Sequence, residues 1–150
     1  MSAASFESRS SRFEERVRES FVAQLFMGYL GAELTRVEPG SIEIVVPFRE
    51  ELTQQHGFFH GGVVGTLADN AAGFAAFSLM SDDEQPLSVE FKVNLMSPAQ
   101  GSYLTARAEV IRDGRRLKIC RTEVFVETPQ GEKHCATAIA TIMALRDPIS

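Results

Sequence analysis

The sequence predicts an α+β domain in which an antiparallel sheet wraps around one long central helix. Two observations carry this expectation. Residues Gly62 to Met80 form an apolar run whose only charged member is Asp69, and a helix apolar on all sides must be surrounded by other structure. From Leu87 to Arg146 the pattern switches to a period of two, in four segments separated by short turns, as expected of successive antiparallel strands.

The elements follow in order. Residues 1–11, rich in Ser with alternating charge, read as a frayed tail, leaving 12–150 as a single domain. From Arg12, the residues Phe13, Val17, Phe21 and Leu25 recur at helical spacing while Glu14, Glu15, Arg16, Arg18 and Glu19 fill the other face, which predicts an amphipathic packing helix ending near Met27-Gly28. Ala32 to Val37 and Ser41 to Pro47 read as a hairpin around Pro39-Gly40, and Arg49 to Phe59 as a loop feeding the central helix, which spans Gly61 to Met80. After the acidic turn Ser81–Glu84 comes a strand with Leu87, Val89, Phe91, Val93 and Leu95 on one face and Ser88 on the opposite one. Leu104 to Val110, Arg115 to Thr128 and Lys133 to Arg146 complete the sheet, the last presenting Ala136, Ala138, Ala140 and Ile142 on one face.

Bulk properties narrow the function. At 150 residues, 44% hydrophobic and 23% charged, the chain suits one globular domain with a substantial core. A net charge of −5 argues against a nucleic-acid binder that relies on a broad basic face. Cys120 and Cys135 lack the spacing of a zinc site or a disulfide scaffold, so no metal is expected. Neither a signal peptide nor a membrane span is legible, which predicts a cytoplasmic location.

The chemistry begins with Asp69. A carboxylate taken from water without a partner costs several kcal/mol or is driven toward neutrality, so Asp69 is either paired from outside its helix or has a task. Gly61 and Gly62 open the same helix, where unpaired N–H groups and the positive end of the dipole suit an anion or a developing oxyanion. A glycine hinge needed only for the turn is the alternative. Asp69 lies eight positions beyond Gly61, a rise of roughly 12 Å on an α-helix. One chain therefore cannot bring the two to one reacting atom. A two-fold dimer with antiparallel central helices can, and Gly65, Ala68, Ala72 and Gly73 are small enough for such helices to approach. His60 points at a ligand or at its own loop, and His56 and His134 read as structural. Gln54 and Gln55 are loop amides that can hold a carbonyl or a water, or be solvated. Arg112, Arg115, Arg116 and Lys118 surround the Asp113-Gly114 turn and form either a phosphate site or a solvated hairpin tip.

Taken together, Gln54-x-x-Gly57-x-x-His60-Gly61-Gly62 followed by Thr66-Leu67-Ala68-Asp69-Asn70 resembles the signature of hotdog-fold acyl-CoA thioesterases of the phenylacetate (PaaI-like) type. Ser88-Val89-Glu90-Phe91, Met96-Ser97-Pro98-Ala99 and Gly114-Arg115-Arg116-Leu117 are similar to that family too, and the likeness extends from about Gly31 to Arg146. It implies a homodimer, often paired into a tetramer, with the active site across the dimer interface. It implies Asp69 as nucleophile or general base, the Gly61 N–H as the group polarising the thioester carbonyl, Gln54 as the amide placing thioester or water, His60 beside the thioester and Ser88 holding the water. One departure concerns Gln54. Members with the aspartate commonly have asparagine there, and glutamine matches the branch with Glu in place of Asp69, which leaves direct attack and general-base catalysis both open.

The expected reaction is hydrolysis of an acyl-CoA, with a small or medium acyl group, aromatic ones included, and no cofactor. Phe58, Phe59, Phe74 and Phe77 are candidates for the acyl site, Gly62 and Asn70 for further substrate contacts, and Arg115 and Arg116 for the CoA phosphates. The alternatives are an acyl-CoA-binding protein without catalysis and a hotdog dehydratase or hydratase.

Overall fold

The computed structural model describes residues 5–146. Helices α1 (Phe13–Ala23) and α2 (Leu25–Leu30) precede a hairpin of β1 (Glu33–Glu38) and β2 (Ser41–Pro47). The long helix α3 (Gly61–Phe77) follows, and then β3 (Gln85–Leu95), β4 (Tyr103–Asp113), β5 (Leu117–Thr128) and β6 (Gly131–Leu145). All six strands join one antiparallel sheet in the order β1-β2-β4-β5-β6-β3. The first hairpin is thus continuous with the last four strands through β2 and β4, and β3 forms an edge.

Small side chains bring α3 close to the sheet. Ala68, Ala71, Ala72 and Ala75 are buried on the helix, and Ala106, Ala108, Ala136 and Ala140 are buried on the strands that cross it. Close packing of this kind gains dispersion as well as burial. The Thr122 hydroxyl donates 3.0 Å to the Ala68 carbonyl, tying the middle of α3 to β5. At the far end, Ser78 donates to the Ala75 carbonyl and accepts from the Gly40 N–H at 2.8 Å. That exchange ends the helix at Phe77, three residues short of the expected Met80. Gly40 follows Pro39 in the β1–β2 turn with φ of 76°, a conformation that only glycine adopts without strain.

The structure departs from the expected pattern in four further places. The N-terminal helix is two helices, because Gln24 between them is extended (φ −79°, ψ 103°). The segment expected to be a frayed tail docks over its described residues, 5–11: Phe6 packs on the core, Arg9 donates to the Leu79 carbonyl at 2.9 Å and Ser10 donates to Asp82. Residues 1–4 and 147–150 lie outside the described residues. Ala68 and Ala72, expected at a helix–helix contact, face the chain's own sheet, while Gly65 and Gly73 lie on the open side.

The fourth departure is β3. Strict alternation puts Ser88 opposite Phe91, but a bulge between Ser88 and Glu90 shifts the register against β6. Ser88 pairs with buried Ile142, and Phe91 and Val93 pair with buried Ala140 and Ala138, so all three share the face toward α3. Leu87 and Val89 are left outside, 44% and 53% exposed.

Lys118, grouped in the sequence with the basic cluster, is 1% exposed beneath the β4–β5 turn. Its ammonium lies 2.8 Å from Asp113 Oδ1 and donates to the Gly114 carbonyl at 3.1 Å, while Arg9 reaches Asp113 Oδ2 at 2.7 Å. Burial opposes ionisation of Asp113, but the hydrogen bonds from Arg9 and Lys118 outweigh it and hold the carboxyl below its usual range. Cys120 and Cys135 are both buried, and burial pushes their thiols up to about 12 and about 11.

Because the folded pKa of Asp113 is lowered, its contribution to stability is fully present above the ordinary carboxylate range and is lost as pH falls through the lowered value. At neutral pH, Asp113→Asn strands the buried Lys118 ammonium and should cost about 3 kcal/mol in urea unfolding. Most of that loss should vanish when Lys118→Met is added, since the pair is then replaced by uncharged groups.

Candidate active site

Helix α3 carries the site residues along one side. Gly61, Gly65, Asp69 and Gly73 recur every four residues, with Gly62, Thr66 and Asn70 beside them, and all except exposed Gly62 are half-buried. Asp69 is therefore not enclosed, as the apolar run suggested: one side of α3 remains open in the single chain. Gly61, Gly65, Thr66, Asp69 and Asn70 line an open cavity of about 720 Å³ that is bordered by α2 and by Phe91 and Val93 of β3.

His60 caps the helix. Its Nδ1 accepts from the Gly62 N–H at 2.8 Å, and its carbonyl accepts from Val63 and Val64 at 2.9 and 3.3 Å. The Gly61 N–H has no hydrogen-bond partner among the described residues. Capping by His60 therefore satisfies three of the first four N–H groups and leaves Gly61 as a free donor at the positive end of α3, opening onto the cavity. A β-carbon at Gly62 would come within 2.9 Å of His60 Nδ1, so the cap depends on glycine there. At Gly61 it would meet the Leu95 side chain at the same distance.

Asp69 accepts a 2.7 Å hydrogen bond from the Ser88 hydroxyl of β3. The bulge makes this possible by turning Ser88 toward α3. The remaining lone pairs of the carboxylate are free to accept from a water or another donor. Next to it, Asn70 Nδ2 donates to Gln24 Oε1 at 3.0 Å, while Asn70 Oδ1 is buried without a partner. A smaller cavity of about 130 Å³ lies behind Asp69, lined by Ser88, Asn70, Gln24, Gly73, Phe74 and Pro86.

Other candidates lie apart. The Gln54 side-chain oxygen accepts from the backbone N–H groups of His56 and Phe58, so this amide braces its own loop, and the residue lines neither cavity. Phe59 is 3% exposed and packs edge-on against Phe48, 5.5 Å between centroids, as a core residue. Phe58 lines a separate cavity beside Pro98 and Pro129. Phe77 is buried beneath the Arg16 guanidinium, whereas Phe74 reaches the small cavity. Arg115 and Arg116 are exposed and line another cavity with Glu84 and Arg146. His134 bonds Glu123 and stacks on Phe125, and His56 sits exposed in its loop. No group of three or more potential metal ligands occurs among the described residues.

Gln24 is the site residue that sequence reasoning assigned to mere packing. Its signal is a polar residue three positions after buried Phe21, on the helix side that should be apolar.

With this geometry in hand, comparisons with known proteins give a consistent answer. A family model described as the thioesterase superfamily matches residues 56–133. A solved structure of a thioesterase family protein from Silicibacter pomeroyi is 43% identical, covering 90% of this chain and 99% of that one with a TM-score of 0.89. The medium/long-chain acyl-CoA thioesterase YigI of Salmonella typhimurium is 28% identical over 143 residues, 85% of this chain and 90% of that protein. The PaaI protein of the E. coli phenylacetic acid degradation operon, 19% identical, covers 95% of this chain and 100% of its own with a TM-score of 0.82, a likeness of fold.

Proposed function

The chain belongs to the thioesterase superfamily and is a thioester hydrolase; we propose that it cleaves acyl-CoA at sites shared between two copies, each using Asp69 of one copy and the Gly61 N–H of the other. The observation that carries this reading is that a free helix-terminal N–H and a carboxylate held by Ser88 open onto one cavity from the same side of α3. They lie eight residues apart on one rigid helix, a rise of roughly 12 Å, too far to act on one carbonyl. Antiparallel pairing of two such helices brings each Gly61 to the other copy's Asp69.

Two features support a second copy. Strand β3 is an 11-residue edge with an unpaired outer row of backbone groups, and the open side of α3 has only glycine at Gly65 and Gly73, with nothing within 4 Å of a β-carbon added at either. A dimer built on these has twice the 16.5 kDa of one chain, and its pairing into a tetramer extends the same reading.

In the proposed reaction, Asp69 takes a proton from a water as the water oxygen attacks the thioester carbonyl. The Gly61 N–H donates to the oxygen as it becomes an oxyanion. The C–S bond then breaks as the proton held by Asp69 passes to the departing sulfur, which leaves as CoA thiol, yielding the free acid and restoring the Asp69 carboxylate. General-base catalysis is favoured over direct attack because the space of about 130 Å³ beside Asp69 and Ser88 has polar lining and room for water next to the carboxylate, and the Ser88 hydroxyl fixes one carboxylate oxygen while leaving the other free. His60 acts by capping α3, which keeps the Gly61 N–H available. Gly62 and Asn70 border the thioester, and Phe74 borders the water space. Arg115 and Arg116 supply exposed cations for the CoA phosphates. Gln54 serves by bracing the loop that leads into the cap.

Asp69→Asn should lower kcat on acyl-CoA by about 10³-fold in a thiol-release assay, with the dimer mass retained in light scattering. Full activity in that variant would refute the mechanism. A mixing experiment tests the shared site. Asp69→Ala and Gly61→Val are each expected to be inactive, yet random reassociation of the two gives mixed dimers with one intact site, restoring about a quarter of wild-type activity. Tight binding of acyl-CoA without thiol release by the wild type would instead favour a binding protein.

A further inference from the structure

The N-terminal helices lie outside residues 56–133 of the family match, yet Gln24 and α2 form part of the cavity. Helix α1 is anchored firmly: Val17 and Phe21 are buried, and Arg16 lies over the Phe77 ring and donates to the Met80 and Glu84 carbonyls. The chain then breaks at Gln24. Its side chain bonds Asn70, the neighbour of Asp69, and α2 departs in a new direction along the cavity. Met27 and Leu30 pin α2 from below at 2% exposure each, while Leu25 and Phe26 stand 89% and 56% exposed at the cavity wall. Exposed apolar side chains beside a carboxylate and a free N–H need an apolar occupant, and Phe91 and Val93 face the same space from β3.

We propose that α2 is the wall that selects the acyl group: Leu25 and Phe26 contact the acyl chain, and the Gln24–Asn70 bond sets the position of that wall relative to Asp69. The inference rests on the hydrolase reading above and sharpens its substrate class to thioesters with a medium-length aliphatic or aryl acyl group, in preference to acetyl. The continuity of the exposed patch with the cavity that holds Asp69 and Gly61 points to substrate as its occupant. A cavity of about 720 Å³ is also in the volume range of small-molecule sites. Gln24 touches Asn70 and is a positioning residue.

The test compares decanoyl-, phenylacetyl- and acetyl-CoA hydrolysis by the wild type, Phe26→Ala, Leu25→Ala and Gln24→Met, with the mass of each variant measured by light scattering. The wild type should prefer the two larger substrates. In the alanine variants the ratio of kcat/KM for decanoyl- over acetyl-CoA should fall about tenfold, through a rise in KM for the larger substrate. Gln24→Met keeps side-chain length but cannot accept from Asn70, and should lower the same ratio. A ratio unchanged in all three variants overturns the inference while leaving the hydrolase reading intact. A variant reduced to half the wild-type mass, losing activity on every substrate alike, marks α2 as a subunit contact and overturns it too. A wild type that cleaves none of the three thioesters overturns the hydrolase reading, and this inference with it.

Discussion

The structure depends on how closely α3 can lie against the sheet. Alanines on both surfaces remove the bulk that would hold helix and strands apart, and the Thr122 hydroxyl then grips the Ala68 carbonyl, one residue before Asp69. With one side of α3 committed to the sheet in this way, the residues spaced four apart on the other side have no choice of direction. Gly61, Gly65, Asp69 and Gly73 must face away from β5. The functional side of the helix is thus set by the packing side, and its glycines keep it open.

A second dependence runs through β3. An edge strand has one free row of backbone groups and can absorb an extra residue without breaking the interior of the sheet. The bulge at Val89 uses that freedom to rotate Ser88 onto Asp69 while Phe91 and Val93 still face the cavity. Without it, the hydroxyl would lie on the far face of the sheet from the carboxylate.

Much of this was legible in the sequence, because the long helix and the alternating strands have strong periodicities. The alanines and Ile142 of β6 are buried as their alternation predicts, and the resemblance carried by His60-Gly61-Gly62 and Asp69 pointed to the right superfamily. What escaped was set by contacts between distant residues. The apolar spacing resumes at Leu25 beyond polar Gln24, so the break between α1 and α2 is not evident without the partner Asn70. Strict alternation also continues through Val89, and only the pairing with β6 reveals the bulge. The basic cluster at the β4–β5 turn looked uniform, but Lys118 folds inward to Asp113, which is itself held by Arg9 from the supposed tail. Phe59, one of four phenylalanines named as acyl candidates, packs in the core of its own chain, a placement that only the contact with Phe48 reveals.

The two buried cysteines acquire significance from the reaction itself. Every thioester hydrolysed releases a free thiol, and thiols in solution oxidise to disulfides that exchange with any protein thiolate they can reach. Cys120 and Cys135 present almost no surface, and burial lifts their thiols far above neutral pH, so neither supplies a thiolate. Neither cysteine is therefore open to forming a mixed disulfide with the thiol that the reaction releases.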